Sequence, residues 1–152
     1  MEAWRYVWRH GIAPAMSTAA LEALAGGLEL GDERITQGST TVPPPMACVS
    51  AWPVEGACAI GYAGWHGEGL GQVGEVEQYF ASVCSQADAL LGEEAACRHF
   101  LNWFDDTPRQ QMIGELLAEV RLALAQRQAV EAIVNTSGTH QRRSMQTGLE
   151  AA

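Results

Sequence analysis

Residues 93–127, EEAACRHFLNWFDDTPRQQMIGELLAEVRLALAQR, decide the fold. Cys97, Phe100, Leu101 and Phe104 recur at i, i+3, i+4 and i+7, which puts four apolar side chains on one helical stripe. Asp105 and Asp106 end that stripe. Thr107 then suits the N-cap of a second helix, Pro108 its first position, and Gln110 the return arm of a capping box. Met112, Ile113, Leu116, Leu117, Val120 and Leu124 predict the buried face of this second helix. Glu115, Glu119, Arg121 and Arg127 fall largely on its other side. So short a connection predicts that the two helices pack as neighbours.

Working outward, the same period recurs. Ser17 reads as an N-cap, with Met16 and Leu21 placed for a hydrophobic staple and Gly31 as the stop. Leu21, Leu24, Ala25 and Leu28 form the stripe between them. Gly26 and Gly27 weaken this helix, each by about 1 kcal/mol relative to alanine, or admit a close neighbour. A further helix follows the glycine-rich run 61–74, since Val76, Tyr79, Phe80, Val83, Cys84, Ala87 and Leu90 share one face, with Gly92 as its stop. Residues 3–10 fit a helix or a strand, and Gly11 and Pro14 are expected to break the chain after them. Thr36 to Pro45 reads as an extended crossing, because three successive prolines cannot continue a helix. Residues 46–65 are expected to hold a helix starting at Pro53, with a short strand over Met46–Ala51; a buried strand is the alternative. There, Ala57, Gly61 and Gly64 are small enough to admit another backbone.

The expected fold is therefore mostly α: one compact domain of about five helices over residues 1–134, with a proline-rich crossing and at most one short strand or hairpin. Residues 135–152 are polar and aperiodic, and are expected to form a disordered C-terminal tail. The expected core comprises Leu21, Leu24, Leu28, Phe80, Val83, Phe100, Leu101, Phe104, Leu116, Leu117 and Val120.

At 152 residues the chain is the size of one domain, and 47% of it is hydrophobic, enough for a core. Its net charge is −9, with no lysine. The segment 135–152 carries Arg142, Arg143 and Glu150, a net +1, which leaves −10 on residues 1–134. An acidic body repels phosphate backbones and anionic lipid, so neither nucleic acid nor membrane is an expected partner. No apolar run has the length of a membrane span, and the first residues lack the apolar segment of a signal peptide. The expected compartment is the cytoplasm, where the four cysteines are reduced thiols, each serving as a small buried hydrophobe.

Signals for chemistry are sparse. Gly69-x-Gly71-x-x-Gly74 matches the dinucleotide fingerprint, but Glu68, Glu75 and Glu77 surround it and no strand leads into it. Cys48, Cys58, Cys84, Cys97, His66 and His99 lack the paired spacing of a zinc site, so no metal and no cofactor are expected. No catalytic residues emerge. The expected role is that of an adaptor or regulatory protein with a protein partner, or with further copies of itself, acting through Trp65, His66, Trp103, Asp105 and Asp106. The alternative is a small enzyme or ligand-binding protein with a site between the glycine-rich loop 61–74 and the hairpin 93–127, using His66, His99, Asp105 or a cysteine.

Overall fold

The protein is described here by a computed structural model covering the backbone of residues 1–150 and the side chains of residues 1–137. Among the described residues it is mostly helical, 67%, with six helices and one two-stranded antiparallel hairpin in a single domain. α1 spans residues 3–15 and α2 Thr18–Leu30. β1 (Thr41–Val42) pairs with β2 (Gly56–Ala57), Thr41 opposite Ala57 and Val42 opposite Gly56. α3 (Ala59–Gly67), α4 (Val73–Leu91), α5 (Arg98–Asp106) and α6 (Arg109–Glu150) follow.

α1 is a helix that passes through Gly11 and Pro14, the two residues expected to break it. It begins as α-helix at Ala3–Val7, widens to a π-helix over Trp8–Ile12 and closes with Ala13–Ala15. Proline has no N–H to direct at the fourth residue before it, and its ring crowds that carbonyl. The wider π turn, in which the Ala13 N–H reaches back to the Trp8 carbonyl, accommodates the ring. Gly11 serves as a contact point: a Cβ there would lie 2.8 Å from Leu91 Cδ1 and 3.2 Å from the Ala87 Cβ of α4. Trp4, Val7, Trp8 and Ile12 are buried, so α1 runs through the core rather than over it.

The caps of α2 are as expected. Ser17 Oγ accepts from the Ala20 N–H at 3.0 Å, and Gly31 closes the helix at φ +60°. Met16 and Leu21 are both buried around that entry. Gly92, at φ +66°, likewise ends α4. Of the expected core, Leu21, Leu24, Leu28, Val83, Phe100, Phe104, Leu116 and Val120 are buried, and Phe80, Leu101 and Leu117 pack half-buried against them.

Three further expectations change. The segment 46–57 is turn and strand: residues 47–51 form turns, and Pro53 bridges Gln72 instead of opening a helix. The helix starts only at Ala59, where Cys58 Sγ accepts from the Gly61 N–H at 3.5 Å. Of the small residues expected to admit another backbone, Gly61 lies against the Val76 side chain and the Thr40 carbonyl, and Gly64 against the Tyr79 ring; it is Gly67, outside that set, that meets the α2 backbone.

The helices on either side of Thr107 also diverge. α5 packs on α1, whereas α6 packs along α2 and α1. The Arg109 guanidinium fixes this exit, donating to the carbonyls of Asp32 and Ile35 at 2.7 and 2.6 Å, just past the end of α2.

Third, Glu119 belongs to the buried face of α6 rather than the outer one. It is only 3% exposed, between Arg5 and Arg9 of α1.

The expectation of a disordered tail over 135–152 falls mainly on residues whose side chains lie outside those described, and residues 151–152 lie outside altogether; the backbone continues as helix to Glu150.

Candidate functional site

The five expected interaction residues belong to separate clusters. Trp65 and His66 lie at the end of α3, with their rings stacked 4.3 Å apart, Trp65 half-buried and His66 exposed. The Arg34 guanidinium lies over the Trp65 ring at 5.4 Å and is gripped through two nitrogens by the Asp32 carboxylate. Tyr62 donates its hydroxyl to the same carboxylate at 2.7 Å. Arg34 holds Asp32 well below the usual carboxylate range, and burial raises the Tyr62 hydroxyl to about 12. Burial, then the Arg34 charge, holds the His66 imidazole below its ordinary value. The Asp32 carboxylate thus holds both Arg34 and the Tyr62 hydroxyl, as in a structural latch between the end of α2 and α3.

Trp103 belongs to the other cluster. It is half-buried and stacked on Trp4, so it closes the edge of the core. Asp105 and Asp106 are exposed. Asp105 Oδ1 accepts from the Gly38 N–H at 2.9 Å, while the Gln37 amide donates to the carbonyls of Phe104 and Thr107, both at 2.7 Å. The acidic turn therefore anchors the crossing segment to the end of α5.

A cavity of about 130 Å³ lies beside this anchor, lined by Gly38, Ser39, Thr40, Cys58, Phe80, Leu101 and Asp105. It brings Asp105 and a cysteine together between the crossing and the helices, but neither His66 nor His99 lines it. Burial pushes the Cys58 thiol up to about 12, so it is neither a ready nucleophile nor a ready metal ligand. Among the described residues, no group of three or more His, Cys, Asp or Glu side chains converges to hold a metal.

The glycine fingerprint lacks its phosphate-binding context. A helix, α3, precedes Gly69 where the motif requires a strand, and the Glu75 carboxylate accepts from the Gln72 N–H at 3.2 Å, covering the start of α4. No helix among the described residues is long and apolar enough to cross a membrane.

Two exposed features escaped the sequence reading. Trp52 is 55% exposed in the turns after the triple proline, where its position between breakers was the only signal. The larger feature is on α6. Its own chain stops covering it near Arg127, whose guanidinium donates to the Ala13 and Met16 carbonyls and to Thr18 Oγ1. Beyond it, Val130, Ile133 and Val134 are 60%, 67% and 61% exposed, at i, i+3 and i+4 on the helix. At the foot of this row a groove of about 350 Å³ runs between α1 and α6, lined by Arg9, Ala13, Pro14, Ala123, Arg127 and Val130, among others. The helical period of Val130, Ile133 and Val134 is legible in the sequence, but it does not say whether the row is covered.

Comparison of the chain with protein families, with curated proteins and with solved structures finds no match in any of the three.

Proposed function

We propose that this chain is a non-catalytic interaction protein that assembles through the outer part of α6, and that the occupant of this surface is a second copy of the same chain. The observation that carries the reading is the exposed row Val130, Ile133 and Val134 on a helix its own domain has ceased to cover. A helix without tertiary support is marginal in water, so a persistent α6 needs a partner along this row. Contiguous exposed apolar side chains mark a contact surface where isolated ones do not.

Charge favours self-assembly over an unrelated partner. Residues 1–134 carry −10 and residues 135–152 carry +1. An antiparallel copy centred on the apolar row lays the segment containing Arg142 and Arg143 back along the acidic body of its mate. The pairing is two-fold, so each copy offers the other the same row and the same charge.

Sedimentation velocity across a micromolar concentration series tests this. The expected result is a dimer that weakens as salt is raised. The variant carrying Val130→Glu and Ile133→Glu should sediment as a monomer with its helical circular dichroism intact. A wild-type protein that remains monomeric at every concentration overturns the reading.

A further inference from the structure

Cys84 of α4 and Cys97, at the entrance to α5, lie against one another across the seam between those helices. Cys97 Sγ donates to the Cys84 carbonyl at 3.5 Å, which sets the thiol of one cysteine against the backbone of the other. Both are free, Cys97 buried and Cys84 partly accessible. The turn that presents Cys97 is tightly held. The Asp88 carboxylate accepts from the backbone N–H groups of Ala95 and Cys97, both at 3.1 Å, and Ala95 is left-handed at φ +55°. The backbones on either side of the pair are thus fixed before any bond forms.

The cavity lined by Cys58, Phe80, Leu101 and Asp105 opens over the same seam. Phe80 precedes Cys84 by one helical turn, and Leu101 follows Cys97 by one, so the cavity lies one turn along from the thiol pair. Its volume of about 130 Å³ accommodates a molecule the size of hydrogen peroxide, given that a water occupies about 30 Å³ of liquid.

We propose that Cys84 and Cys97 are a dithiol oxidised by hydrogen peroxide to an intramolecular disulfide that staples α4 to α5. Cys84 attacks first. The neighbouring Cys97 thiol lowers the Cys84 thiol, while the same contact and burial hold Cys97 protonated. The Cys84 sulfur takes one peroxide oxygen as the O–O bond breaks, giving a sulfenic acid; the other oxygen leaves as water with the thiol proton. The Cys97 sulfur then displaces the sulfenic hydroxyl, which leaves with the Cys97 proton as a second water, and the S–S bond forms. Two thiols lose two electrons and one peroxide gains them. A dithiol reductant reverses the step by exchange. Cys58 is left as a thiol in the cavity wall, and the site is separate from the α6 surface.

The test uses the full chain with Cys48→Ser, which removes the exposed thiol. After peroxide treatment and digestion at acidic residues, which cuts between the two cysteines at Asp88, Glu93 and Glu94, mass spectrometry should find the Cys84 and Cys97 peptides linked. Dithiothreitol should release them, and oxidation should raise the melting temperature. In the further variant Cys97→Ser, dimedone should label Cys84; in Cys84→Ser it should label neither partner. Thiols at 84 and 97 that survive exposures sufficient to oxidise Cys48 in the wild type overturn the proposal, and that measurement needs no variant at either position. A dimedone adduct on Cys97 in Cys84→Ser overturns the assignment of the attacking sulfur.

Discussion

The indoles of Trp4 and Trp103 stack 3.6 Å apart and within 6° of parallel, joining α1 to α5. The Arg5 guanidinium lies over the Trp4 ring at 4.6 Å, and the Trp4 Nε1–H donates to Glu2 at 3.0 Å. Phe100 lies beneath both indoles, 6.5 and 5.9 Å from them.

Replacing Trp103 with alanine should therefore cost about 2–3 kcal/mol, at the lower end for truncating a large aromatic, because its outer edge is already wet. Combining it with Trp4→Ala should reveal a coupling of about 1 kcal/mol, as expected for a stacked pair. Urea denaturation of the two single variants and the double variant measures both quantities. Strict additivity would show that the stack contributes area alone.

Three helix ends were legible because the signals for them are local. Ser17, Gly31 and Gly92 each do at their own position what their chemistry requires. The apolar stripes of α2, α4, α5 and the first half of α6 were legible for the same reason, apart from Leu90, which is 60% exposed. What escaped depended on distant partners. Glu119 reads as a surface residue until Arg5 and Arg9, more than a hundred positions earlier, are brought to it. The divergence of α5 and α6 depends on Arg109 reaching the loop after α2. Pro14 breaks an α-helix, and only the π turn before it lets the chain continue. Trp65 and Trp103 share a residue type but not a place, and periodicity along one helix cannot separate a row packed on a core from the exposed row at Val130.

The glycines of the α2–α3 contact should divide sharply. Nothing lies within 4 Å of a Cβ built on Gly26, so Gly26→Ala should stabilise the protein by up to about 1 kcal/mol through helix propensity. A Cβ on Gly27 would lie 2.5 Å from Tyr62 Cε1, and one on Gly67 would collide with the Ala20 backbone. Gly27→Ala should cost about 1–3 kcal/mol as Tyr62 is pushed off Asp32, and Gly67→Ala at least as much, because backbone yields less than a ring. Thermal melts of the three variants give the order. Equal effects at Gly26 and Gly27 would place α3 wrongly.

Removing Arg127 should loosen α1 from α6. Its three hydrogen bonds satisfy carbonyls at the end of α1 and the hydroxyl that opens α2. Arg127→Met keeps the apolar stem but none of the donors. The expected loss is about 2 kcal/mol, with faster amide exchange at residues 16–20. Unchanged exchange there would mean that water replaces the guanidinium without cost.

Glu119 should make the fold sensitive to acid. Its carboxylate accepts from Arg9 Nε and Nη2 and from Arg5 Nη1, all at 2.8 Å. The Arg9 bonds, then the Arg5 bond, hold it below the ordinary glutamate value near 4.5, against the opposing cost of burial. The folded chain thus binds this proton more weakly than the unfolded chain does. Its contribution is complete above about pH 4.5 and declines as the pH falls through the depressed value. Both arginines stay charged throughout, since the same bonds raise them. Glu119→Gln keeps the shape but loses the charge. It should lower stability at neutral pH by about 2 kcal/mol, the scale of hydrogen bonds to charged groups, and the gap from wild type should narrow as the pH falls below 4.5. Urea midpoints at pH 7 and across the acid range measure it. A gap independent of pH would mean that Glu119 supports the fold by packing rather than by its charge.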